Sequence, residues 1–420
     1  MVPEEKIRSV LNETGVDVVV ATSLENVFYS TGVWTTMTIT PSDENYQKTG
    51  YFTDFDPPRS FAVWSVNRDE PFLVAPPNVA THIPDENIDF NESNVLIYGQ
   101  RNLNTKGLDT ISEKERSRLT RLFDSTFENR VEAIVACIEP LIDSTSTIAI
   151  EDLNRSSYVY NSIDKRLNYG KIREAEGIFQ RLRMVKTEEE ITRIRRSTQI
   201  NKEAIEESLE KIEEGMTERE LASIYNKKIY EKNAIEQKPV EHTMIGFGPH
   251  SAYAHVVPGD YELQRGDLIR FEVGCRYNHY AADLARTYVF GESNRELEKY
   301  YQVIHSALEK CESLLKDGVS ASEVYNKTKQ HIQNRAGEAD VPELIDFNPP
   351  MIGHNIGLDI HDPPLLSDRD VTLKSGMVMN YEFNFAQWGL GAVQLEETAL
   401  ITKDGVETLS SCPETLRVVE

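Results

Sequence analysis

The sequence lacks long hydrophobic runs and any excess of positive charge. No stretch approaches the roughly 18 consecutive apolar residues that a membrane-spanning helix requires. The start of the chain, Met1 to Lys6, has neither the basic nor the apolar part of a secretory signal, so we expect a cytoplasmic protein without a membrane partner. The formal net charge of −24 argues against nucleic acid as a partner, because a phosphate polyanion would be repelled at long range.

Cysteine is also scarce in this chain. There are 4 cysteines in 420 residues, and no two of them are close in sequence: Cys137, Cys275, Cys311 and Cys412. This spacing predicts neither a zinc knuckle nor a disulfide framework. We therefore expect free thiols, most of them buried.

The length of 420 residues favours two domains, since it is about twice the size at which a single core usually splits. Short apolar runs that alternate with helical patterns predict an N-terminal mixed α/β domain over residues 1–170. Within it, a polar stretch from Trp34 to Arg59 shows no periodicity. Loops of that length usually cover a site or a subunit contact, or they are disordered, and the sequence leaves these alternatives open.

A second domain is predicted over residues 171–420, where the pattern changes. Ser/Thr-x-x-Glu capping signatures predict four helix starts, at Thr187, Thr217, Ser293 and Ser320. Extended segments are predicted at 267–275, 279–290, 377–385 and 392–402. Helices and strands that do not alternate strictly indicate an α+β domain with a largely antiparallel sheet.

Four carboxylates and one histidine stand out in the last third of the chain. They occur in the order Glu272, Asp283, His354, Glu382 and Glu396. Oxygen donors with one imidazole are what two divalent cations need if they are to share bridging carboxylates and hold a water between them. This set of donors indicates a two-metal hydrolase.

The motifs around these residues resemble those of the pita-bread metallohydrolases, peptidase family M24, which include Xaa-Pro dipeptidases, aminopeptidase P and creatinase. Residues 353–361 are Gly-His-Asn-Ile-Gly-Leu-Asp-Ile-His, similar to the family's Gly-His-x-x-Gly-Leu-x-x-His segment. Other matching motifs follow the family's order at 255–259, 266–274, 283–287, 376–382 and 393–398. The resemblance implies an α+β, creatinase/prolidase-like protein of two domains, in which the C-terminal pita-bread domain is catalytic.

The resemblance also implies which residues would bind metal. Glu272 and Asp283 would hold one ion, and His354 and Glu382 would hold the other. Asp283 and Glu396 would span both ions. Manganese is the metal implied first, with cobalt, zinc or iron as alternatives, and two such charges would ionise the bridging water near neutral pH.

Two further histidines, His255 and His361, lie in the family motifs but outside the implied ligand set. The resemblance implies that they hydrogen-bond the substrate carbonyl or the tetrahedral intermediate and shuttle protons. A histidine suits proton transfer because its pKa lies near ambient pH. The remaining histidines are interpreted as ordinary surface or core residues: His82, His242, His250, His279, His305 and His331.

The sequence departs from the family pattern around the implied site. Glu272 stands where the peptidases have aspartate, and its side chain is one methylene longer, which could change metal occupancy or preference. Gln394 replaces the arginine found two residues before the last ligand in proline-specific enzymes, so a charge-assisted contact is lost. The other departures are Ala285 in place of threonine and Phe383-Asn384 in place of Pro-Gly.

These observations support three hypotheses about function. The leading one is a metal-dependent hydrolase of a dipeptide or small amide, similar to Xaa-Pro dipeptidase, that uses a metal-bridged hydroxide. The second keeps the fold but acts on a small non-peptide solute, in the manner of creatinase, ectoine hydrolase or the dimethylsulfoniopropionate lyases. The third is a non-catalytic protein on a peptidase fold. Family likeness also implies a homodimer.

Overall fold

The computed structural model describes residues 2–34, 60–76, 91–99, 108–113, 115–116, 120, 126–151, 157–167, 171–175, 177–236 and 243–420. The chain forms two compact units, Met1–Leu182 and Arg183–Glu420. The domain limits of 1–170 and 171–420 stay a prediction. The polar stretch that begins at Trp34 continues through 35–59, which lie outside the described residues, so the hypothesis that it covers a site also stays a prediction.

The first unit is a seven-stranded sheet with helices. Its strands are β1 (Val18–Ala21), β2 (Phe61–Ser65), β3 (Phe72–Ala75), β4 (Val95–Tyr98), β5 (Thr126–Phe127), β6 (Thr147–Ile150) and β7 (Lys171–Glu174). Its helices are α1 (Glu4–Thr14), α2 (Leu24–Thr31), α3 (Arg130–Ile138) and α4 (Ser157–Arg166), and a further helix, α5 (Ile178–Met184), follows β7. The strand order is β5-β4-β3-β2-β1-β6-β7, antiparallel only at β1–β2 and β2–β3.

The helices of the second unit begin close to where the sequence predicts. They are α6 (Glu188–Leu209), α7 (Glu218–Glu231), α8 (Arg295–Leu314) and α9 (Ala321–Ala339). Thr187 and Thr217 both form complete capping boxes, with the Glu three residues later reaching back to the cap. At these two helices the local signature alone fixes the first turn.

The capping prediction at Ser293 is wrong by one residue. The N-cap of α8 is Asn294, whose side-chain oxygen accepts from the amides of Glu296 and Leu297, each at 3.0 Å. Asparagine is at least as good a cap as serine, and here it stands one position later, so it takes over the role. Ser320 does cap α9, accepting from the Ser322 amide at 3.2 Å.

The strands of the second unit form two five-stranded sheets. The first sheet contains β8 (Ile235–Glu236), β9 (Thr243–Phe247), β10 (Leu268–Tyr277), β11 (Tyr280–Phe290) and β17 (Arg417–Val419), in the order β17-β11-β10-β8 with β9 also paired to β10. The second contains β12 (Gly353–Asn355), β13 (Asp362–Leu365), β14 (Val378–Gln387), β15 (Gly391–Ile401) and β16 (Val406–Thr408), in the order β13-β12-β14-β15-β16. The two long hairpins, β10–β11 and β14–β15, are antiparallel.

Each hairpin is backed by its own pair of helices. The apolar faces of α6 and α7 share one buried cluster with β10 and β11, and those of α8 and α9 share another with β14 and β15. Buried polar contacts fix the first packing, because Asn201 of α6 donates to the Val273 carbonyl of β10 at 2.7 Å. The Tyr225 hydroxyl of α7 donates to the Asn201 side chain, also at 2.7 Å. Strand β10 is therefore held from behind at the residue next to Glu272.

The two hairpins meet through β11 and β15. The Thr287 hydroxyl donates to the Gln394 carbonyl at 3.0 Å and accepts from the Gln394 amide at 2.9 Å. The Arg286 guanidinium donates to the Glu396 carbonyl. All residues of β11 and of β15 are buried, so the carboxylates that these strands carry lie inside the unit.

Two simpler predictions can be compared with the structure. All four cysteines are free thiols, and three of them are buried: Cys137, Cys275 and Cys311. Among the helices in the described ranges, none combines the length and the apolar character needed to cross a bilayer.

Candidate metal centre

Three of the predicted ligands project from the second five-stranded sheet. Glu382 on β14 lies directly opposite Glu396 on β15. His354 on β12 lies opposite Asn380, which precedes Glu382 by two residues on the same strand. Side chains opposite each other, or two apart along a strand, leave a sheet on the same face. His354, Glu382 and Glu396 therefore share one face.

The other two predicted ligands come from the first sheet. Asp283 on β11 lies opposite Gly274 of β10, so Glu272 is two residues from that register partner and leaves the hairpin on the same face. The Asn380 side chain joins the two sheets at this point. Its Nδ2 donates to the Asp283 carbonyl and to Glu396 Oε1, each at 2.9 Å.

Asp283, His354 and Glu396 form the tight part of the site. Each offers one donor atom, and these atoms all lie within 4.8 Å of one another. His354 Nε2 is 3.7 Å from Glu396 Oε1, and both side chains are almost fully buried. Among the described residues, this is the one group of three or more such side chains whose donor atoms lie close enough together to share an ion.

Glu272 and Glu382 lie beside this group, near the Gln394 side chain. Gln394 Nε2 donates to Glu382 Oε2 at 3.2 Å, and Gln394 lowers the pKa of Glu272, so it also lies near that carboxylate. The Arg270 guanidinium is 3.9 Å from Glu272 Oε2. All five predicted ligands thus lie in one region, although Glu272 has a cationic neighbour that the others lack in the described contacts.

Burial raises the pKa of all four carboxyl groups. For Asp283 and Glu396 the pKa lies well above its usual range, because burial is reinforced by the charges of neighbouring carboxylates. The same two causes raise the pKa of Glu382 to about 7. Burial also raises the pKa of Glu272, while Arg270 and Gln394 act in the opposite direction. The site therefore disfavours its own negative charge.

The donor set fits a divalent cation. Buried carboxylates that repel one another are costly unless a positive charge lies among them, and a divalent ion would supply that charge. Oxygen donors with one imidazole suit manganese, iron, cobalt and zinc. The imidazole is also in the required state, because burial, and next the nearby His361, lower the pKa of His354 to about 3 and keep the ring neutral.

His361 lies against the cluster, whereas His255 belongs to a separate loop. The His361 and His354 rings meet edge to face, with centroids 4.3 Å apart, and His361 is exposed. His255 is also exposed and follows the short helix Gly248–Ala252. Arg270 ties this loop to β10 by donating to the carbonyl of Tyr253 at 2.7 Å and to that of Ala254 at 3.3 Å.

Glu218 anchors both ends of the His255 loop, a role that the sequence analysis missed. Its buried carboxylate accepts from the amides of Phe247 and Gly259, each at 2.9 Å, and contacts His250 Nδ1 at 2.8 Å. His250 was interpreted as an ordinary histidine, and its partner is this structural carboxylate. The one local signal was an acidic residue in the first turn of a predicted helix, and it gave no hint of these distant contacts.

A second missed group supports the two site histidines. Lys186 is buried, and its Nζ donates to Asn355 Oδ1 at 2.8 Å and lies 3.4 Å from Asp362 Oδ2. Arg183 pairs with the other oxygen of Asp362. Burial lowers the pKa of Lys186 to about 8, partly offset by Asp362. Asn355 follows His354 and Asp362 follows His361, so these cations fix the backbone beside both rings.

The α+β unit, which gathers carboxylates and an imidazole from five strands into one buried region, defines a metalloenzyme of the hydrolase class. Comparison with protein families is specific. Residues 192–403 match metallopeptidase family M24, and residues 4–185 match the creatinase/prolidase N-terminal domain. The chain therefore belongs to metallopeptidase family M24. The predicted family and the predicted two-domain, creatinase/prolidase-like fold class are confirmed.

Individual relatives agree with this assignment. The chain is 32% identical over 274 residues to the Xaa-Pro dipeptidase of Pyrococcus furiosus, covering 65% of this chain and 76% of the relative. It is 32% identical over 259 residues to the Xaa-Pro dipeptidase of Pyrococcus horikoshii, covering 61% and 71%.

Solved structures show the same fold. The prolidase from Pyrococcus furiosus has a TM-score of 0.69 at 25% identity, over 96% of this chain and 99% of the other. The prolidase from Pyrococcus horikoshii has a TM-score of 0.72 at 22% identity, over 99% of each chain.

We expect a divalent cation, tested as Mn²⁺, to raise the unfolding temperature of the wild-type protein and the Asp283→Asn variant to lose that increase. Binding to the folded state alone adds about 2.7 kcal/mol at a hundredfold excess over Kd. Because asparagine removes one repelling charge, the metal-free variant should unfold at or above the temperature of the metal-free wild type. Calorimetry with and without Mn²⁺ measures both effects. The exposed Asp346→Asn is the control and should keep the full shift. A metal shift retained in Asp283→Asn would contradict the prediction.

Proposed function

We propose that this protein is a metal-dependent dipeptidase that cleaves Xaa-Pro dipeptides. The observation that carries the proposal is the buried group formed by Asp283, His354 and Glu396, flanked by Glu272 and Glu382, in a chain of metallopeptidase family M24. Hydrolysis of an amide needs an activated water and a stabilised oxyanion. A buried cluster of carboxylates is suited to the cations that would supply both.

The chain's own residues divide into two metal positions in this proposal. Glu272 and Asp283 would hold one divalent ion, His354 and Glu382 would hold the other, and Asp283 and Glu396 would be shared. Manganese is proposed for both positions. When bound, such ions act as Lewis acids and lower the pKa of water towards neutrality. Gln394 keeps Glu382 in place by a neutral hydrogen bond, so it adds no positive charge that would oppose the ions.

His361 and His255 act on the substrate. His361 is exposed and rests edge-on against the ring of His354, so its position is set by a residue of the proposed ligand set. Its imidazole donates a hydrogen bond to the substrate carbonyl and transfers a proton to the leaving nitrogen. His255 takes the second role, hydrogen-bonding the tetrahedral intermediate from the loop that Glu218 and Arg270 anchor.

The substrate class is supported by the relatives. Two of them carry the name Xaa-Pro dipeptidase, and the chain covers 76% and 71% of their lengths. They favour a dipeptide over the small non-peptide solutes of the second hypothesis and over a non-catalytic role. A homodimer and a cytoplasmic location are further parts of the proposal, which sedimentation equilibrium and cell fractionation would test.

Substitution of His354 and substitution of His361 should have different effects on metal binding and turnover. We expect His354→Ala to lose bound metal, because it removes the one imidazole donor of the tight group. His361→Ala should keep its metal and lose about 10²- to 10⁴-fold in kcat, the usual contribution of a positioned acid or base. Elemental analysis and steady-state kinetics on an Xaa-Pro dipeptide separate the two. Chelation should abolish wild-type turnover, and activity that fully survived chelation would refute the proposal.

A substrate panel tests the proposed specificity. We expect kcat/KM for Xaa-Pro dipeptides to exceed that for creatine, ectoine and dimethylsulfoniopropionate by at least about a hundredfold, because a site shaped for one substrate leaves its polar groups unpaired with another. Matched Xaa-Ala dipeptides measure the contribution of the proline ring. Turnover of one of the solutes above that of every dipeptide would replace the proposed function with the second hypothesis.

A further inference from the structure

Arg270 is a buried cation that contacts two parts of the site at once. It lies on β10 two residues before Glu272, so both side chains leave the strand on the same face. Only 1% of Arg270 is exposed. Its Nη1 is 3.9 Å from Glu272 Oε2, and its Nη2 donates to the carbonyls of Tyr253 and Ala254. A buried guanidinium is costly to retain unless its contacts compensate for lost hydration.

The contact with the loop falls directly before His255. Glu218 holds the two ends of the segment through the amides of Phe247 and Gly259. Arg270 holds the middle, where the backbone carries the exposed side chains of Tyr253 and His255. One arm of the guanidinium, Nη2, contacts two successive carbonyls while the other arm, Nη1, faces Glu272, so the planar group fixes this backbone relative to β10. His255 is thereby oriented from β10.

The contact with Glu272 is of another kind. At 3.9 Å it is an electrostatic attraction and lies beyond hydrogen-bond distance. Arg270 therefore adds a positive charge beside Glu272 without fixing the orientation of that carboxylate.

We propose that Arg270 is a positioning residue that holds His255 in place for catalysis and, through the same guanidinium, competes with a divalent cation for the Glu272 carboxylate. The inference rests on the proposed function, because it treats Glu272 as a metal ligand and His255 as a proton-transfer group. The two effects have opposite signs. Removing Arg270 strengthens cation binding on the Glu272 side, since like charges repel, and weakens turnover, since the His255 segment loses its central anchor.

Two substitutions in the full-length chain separate charge from position. Arg270→Gln removes the positive charge and the planar guanidinium. We therefore expect Mn²⁺ to bind about tenfold more tightly on the Glu272 side. Its kcat should fall by about 10²-fold, the effect of a small misplacement of a reacting group, with a much smaller change in KM. Arg270→Lys keeps the charge but has a single nitrogen, which cannot face Glu272 and contact the two carbonyls together, so Mn²⁺ affinity should stay within about twofold while kcat falls.

Two of the three readouts need no substrate. Titration calorimetry of the chelator-treated protein gives Mn²⁺ affinity, and hydrogen exchange of the backbone over 253–257 reports the loop. We expect faster exchange there in both Arg270 variants. The matched control is Arg195→Gln, which removes an exposed arginine paired with Glu407 at 2.7 Å and should leave affinity, exchange and kcat unchanged. Kinetics on an Xaa-Pro dipeptide give the third readout.

A double-mutant cycle tests whether Arg270 affects Mn²⁺ binding through Glu272. In the Glu272→Gln background, Arg270→Gln should no longer change Mn²⁺ affinity, because the carboxylate for which the guanidinium competes has gone. Persistence of the full effect in that background would show that Arg270 acts elsewhere.

Other outcomes would contradict either the role of Arg270 or the proposed function. Weaker or unchanged Mn²⁺ binding in Arg270→Gln, or wild-type kcat and exchange in Arg270→Lys, would overturn the role of Arg270 alone. If Arg270→Gln does not fold, Arg270→Lys still decides the positioning role through exchange and kcat. A wild-type protein that binds no Mn²⁺ would overturn the proposed function itself.

Discussion

The second unit depends on one electrostatic constraint, the repulsion among carboxylates that its strands bring together away from water. Burial raises the pKa of Asp283, Glu382 and Glu396, and the charges of neighbouring carboxylates, Glu272 among them, raise it further. Such a group is destabilising in an apolar interior, and it is tolerated where a compensating charge is present. The strand registers leave these side chains no other direction, because a shift of one residue would turn each carboxylate to the opposite face. The requirement for a cation is thus a consequence of the pairing pattern.

Two neighbouring acids on β15, Glu396 and Glu397, differ in how their charge is compensated. Glu397 has a guanidinium of its own, since Arg286 lies 3.2 Å away, and the Ser410 hydroxyl donates to the same carboxylate. Glu396 leaves the strand on the opposite face, where it receives one neutral hydrogen bond from Asn380 and meets other carboxylates. Glu397, whose charge is already compensated, contributes to the packing of the two sheets. Glu396, which lacks such compensation, is the acid that fits a metal.

Much of this arrangement could be predicted from short-range sequence rules. The capping boxes at Thr187 and Thr217 are local, and so are the alternating strands, hence both appear in the sequence before any packing is known. The cap of α8 was predicted one residue too early because Ser293 and Asn294 are both competent caps, and the helix begins after the second of them. The family motifs gave the order of the donors. The strand register that brings these donors together in a cluster depends on the fold as a whole.

The contacts that support the site could not be predicted in this way. Lys186 meets Asn355 across 169 positions, and Glu218 meets Gly259 across 41, so no local window contains both partners. A buried lysine, glutamate or arginine has the same sequence signature as an exposed one. Its function appears only when the fold shows what surrounds it, and the polar residues that sequence reasoning missed are all of this kind.

The distribution of donors along the chain has a consequence for biosynthesis. Glu272 and Asp283 belong to the first hairpin, whereas Glu382 and Glu396 belong to the second and are among the last parts of the unit to be translated. A nascent polypeptide that has released only the first hairpin presents Glu272 and Asp283 without His354, Glu382 and Glu396. The buried carboxylate cluster is therefore complete only after the second hairpin has been synthesised and has paired with the first.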